Sequence, residues 1–335
     1  MDSKEELNWV NCVKAICIIL VFFAHSVALS GTGIPDWLYW LYDPVYVNAF
    51  FFVSGYLLFK KQLSQPLSDE NRKEYVRSGG RNMLCNILFR IMVPSVIFAI
   101  IEYWPKHMIK GGGFSVASFL TETVGGGTYW FLSALAVAQL LFVILLLTRI
   151  RNIWFYMACS VALAVVCMKF TGDGGLELWH YRQGLVCTLF LAAGGLYQRY
   201  EKPSRIHVVA YVFFLSMYVI GSILHEDNMT GYSAYNCDVS LLGFLWSMVG
   251  VLCLVETCKW LPKTAVLTFI GRHSILFYMM SGSLPFIILK LTPVAAFGEA
   301  LSIIITFLIS LAVSGLVSFI IVRYLPFLKD LRAIK

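Results

Sequence analysis

Charge is what this chain has least of. Asp, Glu, Lys and Arg make up 13% of its 335 residues, against 59% hydrophobic ones, and the mean hydropathy is +0.75. A soluble core cannot absorb that much apolar sequence, which excludes a water-soluble globular domain and a nucleic-acid-binding module alike. The nine cysteines include no C-x-x-C pair, so neither a redox motif nor a metal framework is indicated, and no metal site is expected. Most of them sit in apolar runs, where cysteine acts as a small hydrophobe. The opening MDSKEELN carries more acidic residues than its single lysine, and no small-residue cleavage pattern follows the first apolar run, so a cleavable signal is not expected. No P-loop, low-complexity tail or soluble appendage is visible; one membrane-embedded domain over 1–335 is the expected organisation.

What the chain does have is about ten apolar runs of spanning length, at roughly 9–30, 42–60, 83–104, 129–148, 153–169, 183–199, 207–224, 238–258, 266–289 and 297–324. The fold class expected is all-α, a polytopic membrane protein. With the N-terminus placed in the cytoplasm, 18 of the 26 Lys and Arg fall on the inner side and 5 on the outer, the other three lying within spans. That asymmetry puts both termini inside and accounts for most of the +7 net charge. The basic inner segments also suit contact with anionic lipid.

The first run, WVNCVKAICIILVFFAHSVAL, carries two ionisable groups, Lys14 and His25. Three helical turns take up nearly the interval between them, so they share one stripe, separated by ~16 Å along the axis. An ionisable side chain inside a membrane segment is costly and marks a functional hypothesis. An imidazole can take and return a proton near neutral pH, as a general base must. The structural alternatives are a packing histidine and a lysine that reaches back to the membrane edge. In NAFFFVSGYLLFKK, Ser54 and Gly55 permit close helix contact, and Ser54 becomes a nucleophile only with a base beside it. Arg90, in FRIMVPSVIF, needs an anionic partner, which a phosphate-bearing ligand or a protein carboxylate can supply. Arg272 opens IGRHSILFYMMSGSLPF on the inner side. Five acidic residues map to the outer side, Asp36, Asp43, Glu102, Asp173 and Glu177, and any of them is a candidate to orient the His25 ring.

Taken together these runs resemble the integral-membrane acyltransferase 3 family, ten-helix bacterial O-acyltransferases. Lys14 and His25 match its first-helix basic residue, ten intervening residues and histidine. FFFVSGYLLF resembles its aromatic–Ser–Gly motif, TYWFLSAL its Trp-Phe-Leu motif, and IGRHSILFY its Gly-x-x-Ser…Tyr motif. The order of the motifs on successive helices, over residues ~8 to ~290, is more specific than any one of them. Three departures stand out. Met279, Met280 and Ser281 follow Tyr278 where many members have a histidine. Ile87 replaces the first of two arginines before the third-helix proline, which leaves Arg81 or Arg77 to supply that charge. No SGNH-type domain is fused.

The resemblance implies a membrane-bound O-acyltransferase of the bacterial inner membrane. It implies transfer of an acyl group, acetyl first of all, from cytoplasmic acyl-coenzyme A to a hydroxyl of a cell-surface glycan or its lipid-linked precursor. Acetyl-coenzyme A is then the donor substrate, the glycan and the bilayer are the other partners, and nucleic acid is not one. His25 is the expected base and Ser54 an expected catalytic helper. Lys14, Arg90, Arg272, Arg81 and Arg77 are expected to hold the donor. A transporter or flippase for a small polar solute or glycan lipid is the alternative, because intramembrane charges and broken helices also occur there.

Overall fold

The computed structural model describes residues 6–31, 34–62, 72–110, 114–148, 150, 152–170, 178–201, 208–224 and 241–330. Asp173, Glu177 and Cys237 lie outside them. The described residues are almost all helical, with no strand among them. They form α1 (Glu6–Ser30), α2 (Asp36–Gln62), α3 (Arg72–Ile87), α4 (Val93–Lys110), α5 (Val116–Thr123), α6 (Trp130–Leu147), α7 (Ile153–Phe170), α8 (Tyr181–Tyr200), α9 (Val208–Ile223), α10 (Leu241–Trp260), α11 (Ala265–Arg272), α12 (Ser274–Ser281), α13 (Ser283–Leu291) and α14 (Glu299–Tyr324).

Each of the ten apolar runs is occupied by helix, with three differences of detail. The third run is one rod from α3 to α4, joined by a π-helical turn at Leu88–Met92. Pro94 explains the widening: it has no N–H to give the Arg90 carbonyl. The ninth run is cut into α11, α12 and α13, by a non-helical His273 (φ −111°, ψ 20°) and by a 43° bend at Gly282. Within the glycine-rich stretch after α4 the chain forms the short helix α5, whose Ser115 side chain accepts a hydrogen bond from the Ser118 amide.

By length and hydropathy alone, four helices suffice to cross a membrane: Asn8–Ser30, Arg77–Ile109, Leu241–Trp260 and Glu299–Tyr324. The bent pair α12–α13 makes a fifth. The apolar stretches of α6, α7 and α9 are shorter, and α2 and α8 are diluted by polar residues. The chain is therefore an all-α membrane protein with four to five strongly apolar spans among its described residues.

α1 is the centre of the bundle, packed by α2, α10, α11, α12, α13 and α14. We call the end where it begins proximal and the end at Ser30 distal. Two ring contacts fix its antiparallel register on α2: Trp9 on Tyr56 (4.9 Å) and Phe23 on Tyr42 (5.7 Å). Small residues let the helices close up. A methyl on Gly55 would lie 2.0 Å from the Leu191 carbonyl oxygen, and one on Gly194 1.9 Å from that of Phe52, so α2 and α8 touch backbone to backbone. Gly271 brings α11 equally close to α1, at Asn11. Along α14, Ser302, Thr306, Ser310, Ser314 and Ser318 recur every four residues and are buried.

The proximal end is tied by an ionic network spanning α1, α2, α8 and α10. Lys259 pairs with Glu201 (2.8 Å) and Glu256 (3.0 Å), donates to the Tyr197 hydroxyl and lies 5.7 Å from the Trp9 ring centroid. Tyr56 donates to Glu201 (2.8 Å) and Tyr197 to Glu256 (2.9 Å).

Two outcomes follow for stability. Lys259→Met leaves two carboxylates facing each other without a cation, a loss on the order of 3 kcal/mol, readable as a lower melting temperature in detergent. Gly271→Ala pushes a methyl to 2.0 Å from the Asn11 carbonyl oxygen, an overpacking cost of about 1–3 kcal/mol. Gly282→Ala, where an added methyl meets nothing within 4 Å, leaves the melting temperature unchanged and serves as the control.

Candidate active site

The stripe on α1 runs Lys14, Ile18, Val21, His25. Ile18 and Val21 are buried, so the stripe faces the bundle interior rather than the apolar exterior. Lys14 and His25 are themselves half-buried. Among the described residues neither makes a hydrogen bond or an ion pair. Both therefore stand in a largely apolar helix with their bonding capacity unused.

At the proximal end the cationic residues gather. Arg90, 58% exposed, donates from Nε to the Asp330 carboxylate at 2.7 Å, bridging the π-helical turn to the segment after α14. Lys329, beside that aspartate, lies in the field of both Arg90 and Arg272; burial first, then those two cations, hold its pKa below the usual lysine value, with Asp330 opposing them. Three cations thus stand near one another, and of them Arg90 is ion-paired to Asp330. Arg272 and His273 also line an open cleft of about 520 Å³ with Lys263, Thr264, Thr268 and Phe269. Thr264 caps α11 there, its hydroxyl accepting from the Leu267 amide at 3.2 Å. The Asn11–Gly271 approach places this cleft at the foot of the Lys14–His25 stripe.

The remaining expected residues are not all drawn together. Ser54 is half-buried and makes no hydrogen bond among the described residues. The Trp9–Tyr56 and Phe23–Tyr42 contacts put it level with the Lys14 end of the stripe, ~20 Å along the axis from His25. Arg81 and Arg77 are exposed on α3, ~14 Å and ~20 Å of helix away from Arg90, and form no ion pair among the described residues. Asp36 is exposed at the start of α2, and Asp43 is buried beside Tyr39 and Tyr46. Glu102 accepts a hydrogen bond from the Ser283 hydroxyl at 2.5 Å. None of these carboxylates bonds to His25.

The motifs on α2, α6 and α12 do converge. Phe131 of α6 packs on Phe50 (5.3 Å) and Phe51 (5.0 Å) of α2 and on Tyr278 of α12 (5.1 Å), and its amide donates to the Tyr278 hydroxyl at 3.4 Å. Trp130 faces His180 across 6.5 Å. Sequence reasoning counted Lys329 and Lys263 only as charges that set orientation. Their basic character was the available signal; their place beside Arg90 and Arg272 required the tertiary fold. Asp330 gave no signal.

Comparison with known proteins agrees with this convergence. No curated protein and no solved structure is matched. A family model described as an acyltransferase domain matches residues 7–323, nearly the whole chain and every motif named above. The chain belongs to the acyltransferase 3 family.

Proposed function

We propose that the protein transfers an acyl group, acetyl first of all, from acyl-coenzyme A to a hydroxyl of a cell-surface glycan or its lipid-linked precursor. In this reading the proximal end faces the cytoplasm, the helical runs make ten passes of the bacterial inner membrane, and both termini are cytoplasmic. The basic-residue asymmetry supports that orientation. The observation that carries the reading is the inward-facing, unpartnered pair Lys14 and His25, rising from a cationic cleft.

The chemistry divides along the stripe. Arg90, Arg272 and Lys329 hold the donor's phosphates at the proximal mouth, where Asp330 gives way to them. Arg81 and Arg77 add long-range attraction for the polyanion from α3. Lys14 and Ser54, at one level, border the path of the pantetheine arm. At the far end, His25 takes the proton of the acceptor hydroxyl as its oxygen attacks the thioester carbonyl. The C–S bond then breaks, and the imidazolium returns a proton to the departing thiolate. Helix α13 begins near His25 in depth without a side-chain cap, which makes the amides of Ser283 and Leu284 the candidates to face the developing oxyanion. The broken span α11–α13 also suits a transporter; thioester cleavage that requires the purified protein separates the two.

His25→Ala, inserted in vesicles at wild-type amounts and supplied with acetyl-coenzyme A, loses turnover by ~10²–10⁴-fold while donor affinity stays within twofold. Retained turnover rejects the base. Lys14→Ala weakens acetyl-coenzyme A binding by ~10-fold, the worth of one charge-assisted hydrogen bond, and Lys14→Arg restores most of it. Equal loss from both variants contradicts a charge contact.

A further inference from the structure

Glu102 is an ionisable side chain in the body of the α3–α4 rod, and among the described residues no cation stands within ion-pair range of it. Lys106, a turn further on, acts on it only at longer range. Among the described residues it accepts a short hydrogen bond from Ser283, the residue that opens α13 just past the Gly282 bend. The space at that bend is open, since a methyl on Gly282 meets nothing within 4 Å. Beside the carboxylate stands Tyr129, only 5% exposed, whose hydroxyl interacts with Glu102 but closes no hydrogen bond of good geometry. A buried phenol held in that way gains when an incoming polar ligand completes its hydrogen bonding.

Depth ties this cluster to the stripe on α1. Gly271 touches Asn11, and Ser283 lies as far beyond Gly271 as Phe23 lies beyond Asn11. Ser283 is therefore within about one turn of His25 along the bundle. Helix α13 touches both α1 and α4, so it joins the two sides of a single level. A carboxylate with spare lone pairs, a buried phenol beside it and a serine hydroxyl are groups that bind vicinal hydroxyls, whereas a thioester or an acyl chain offers them nothing to donate.

We propose that Glu102, Tyr129 and Ser283 form the acceptor subsite, and that its ligand is a polyhydroxylated sugar whose neighbouring hydroxyls donate to Glu102. The subsite holds the sugar so that one hydroxyl is presented to His25. This assignment rests on the acyl-transfer reading and deepens it. Glu102 takes no part in the proton transfer; it positions the acceptor.

The test uses the full-length protein in cells lacking the endogenous copy and, purified, in detergent. Surface-glycan ester content is read by mass spectrometry, and acetyl-coenzyme A affinity by calorimetry. Glu102→Gln and Tyr129→Phe are expected at wild-type abundance, with donor affinity and slow acetyl-coenzyme A hydrolysis within twofold of wild type. Ester content is expected to fall at least tenfold for Glu102→Gln and about threefold for Tyr129→Phe, with Glu102→Asp recovering part of the loss. Ester content above half of wild type in Glu102→Gln overturns the assignment. So does a parallel loss of donor affinity, which makes Glu102 a packing or donor-side group. Wild-type protein that neither binds acetyl-coenzyme A nor raises ester content defeats the acyl-transfer reading itself, a result distinct from the first two.

Discussion

The constraint on which the rest depends is the cost of carrying Lys14 and His25 through the middle of an apolar bundle with no group among the described residues bonded to either. Two other charged groups are paired: Lys259 has two carboxylates and two aromatic rings around it, and Arg90 has Asp330. Six helices pack round the stripe on α1, and glycine lets the backbones close up where Gly55, Gly194 and Gly271 remove a side chain. The bundle thus gives up electrostatic pairing along one line, and a ligand that meets Lys14 with negative charge and His25 with a proton to lose recovers it.

Read along that line, the two ends differ in chemistry. The proximal end is cationic and open to a cleft of about 520 Å³, with Arg90, Arg272 and Lys329 near one another and Arg90 paired to Asp330. Near His25 the polar groups are of another kind: a carboxylate, a phenol and a hydroxyl at the break between α12 and α13. On the proposed reading, an anionic donor and a hydroxyl-bearing acceptor then have separate, complementary addresses at either end of one helix, transfer takes place where the two meet, and neither substrate needs to cross the whole bundle.

Much of this was legible in the chain. The eleven-residue step from Lys14 to His25 implies a shared face at any α-helical pitch, and Ile18 and Val21 between them show the face to be the inner one. The ten apolar runs located the helices, because burial in a bundle leaves a length signal even where hydropathy is diluted. Pairings at long range were not legible. Arg90 meets Asp330 across 240 residues, and no periodicity links them. The level of Ser54 depends on how α1 and α2 are registered, which the Trp9–Tyr56 and Phe23–Tyr42 contacts decide. The choice among five outer carboxylates for His25 was open for the same reason, and none of the three described ones bonds to it; the Ser283–Glu102 contact beside the bend at Gly282 was equally illegible. Helix α5 was hidden by its flanking glycine triplets, although Ser115 three residues ahead of Ser118 is a capping signal.

A structure of the protein with a non-hydrolysable acetyl-coenzyme A analogue tests the central claim most directly. The account predicts the nucleotide phosphates against Arg90, Arg272 and Lys329, with Asp330 displaced. The pantetheine arm should run along the Lys14–His25 stripe, and the acyl carbonyl should lie near enough to the imidazole for a hydroxyl to fit between them, ~4–5 Å. An analogue bound with its acyl end away from α1, or an imidazole turned outward to the lipid with no passage from the proximal cleft, contradicts it.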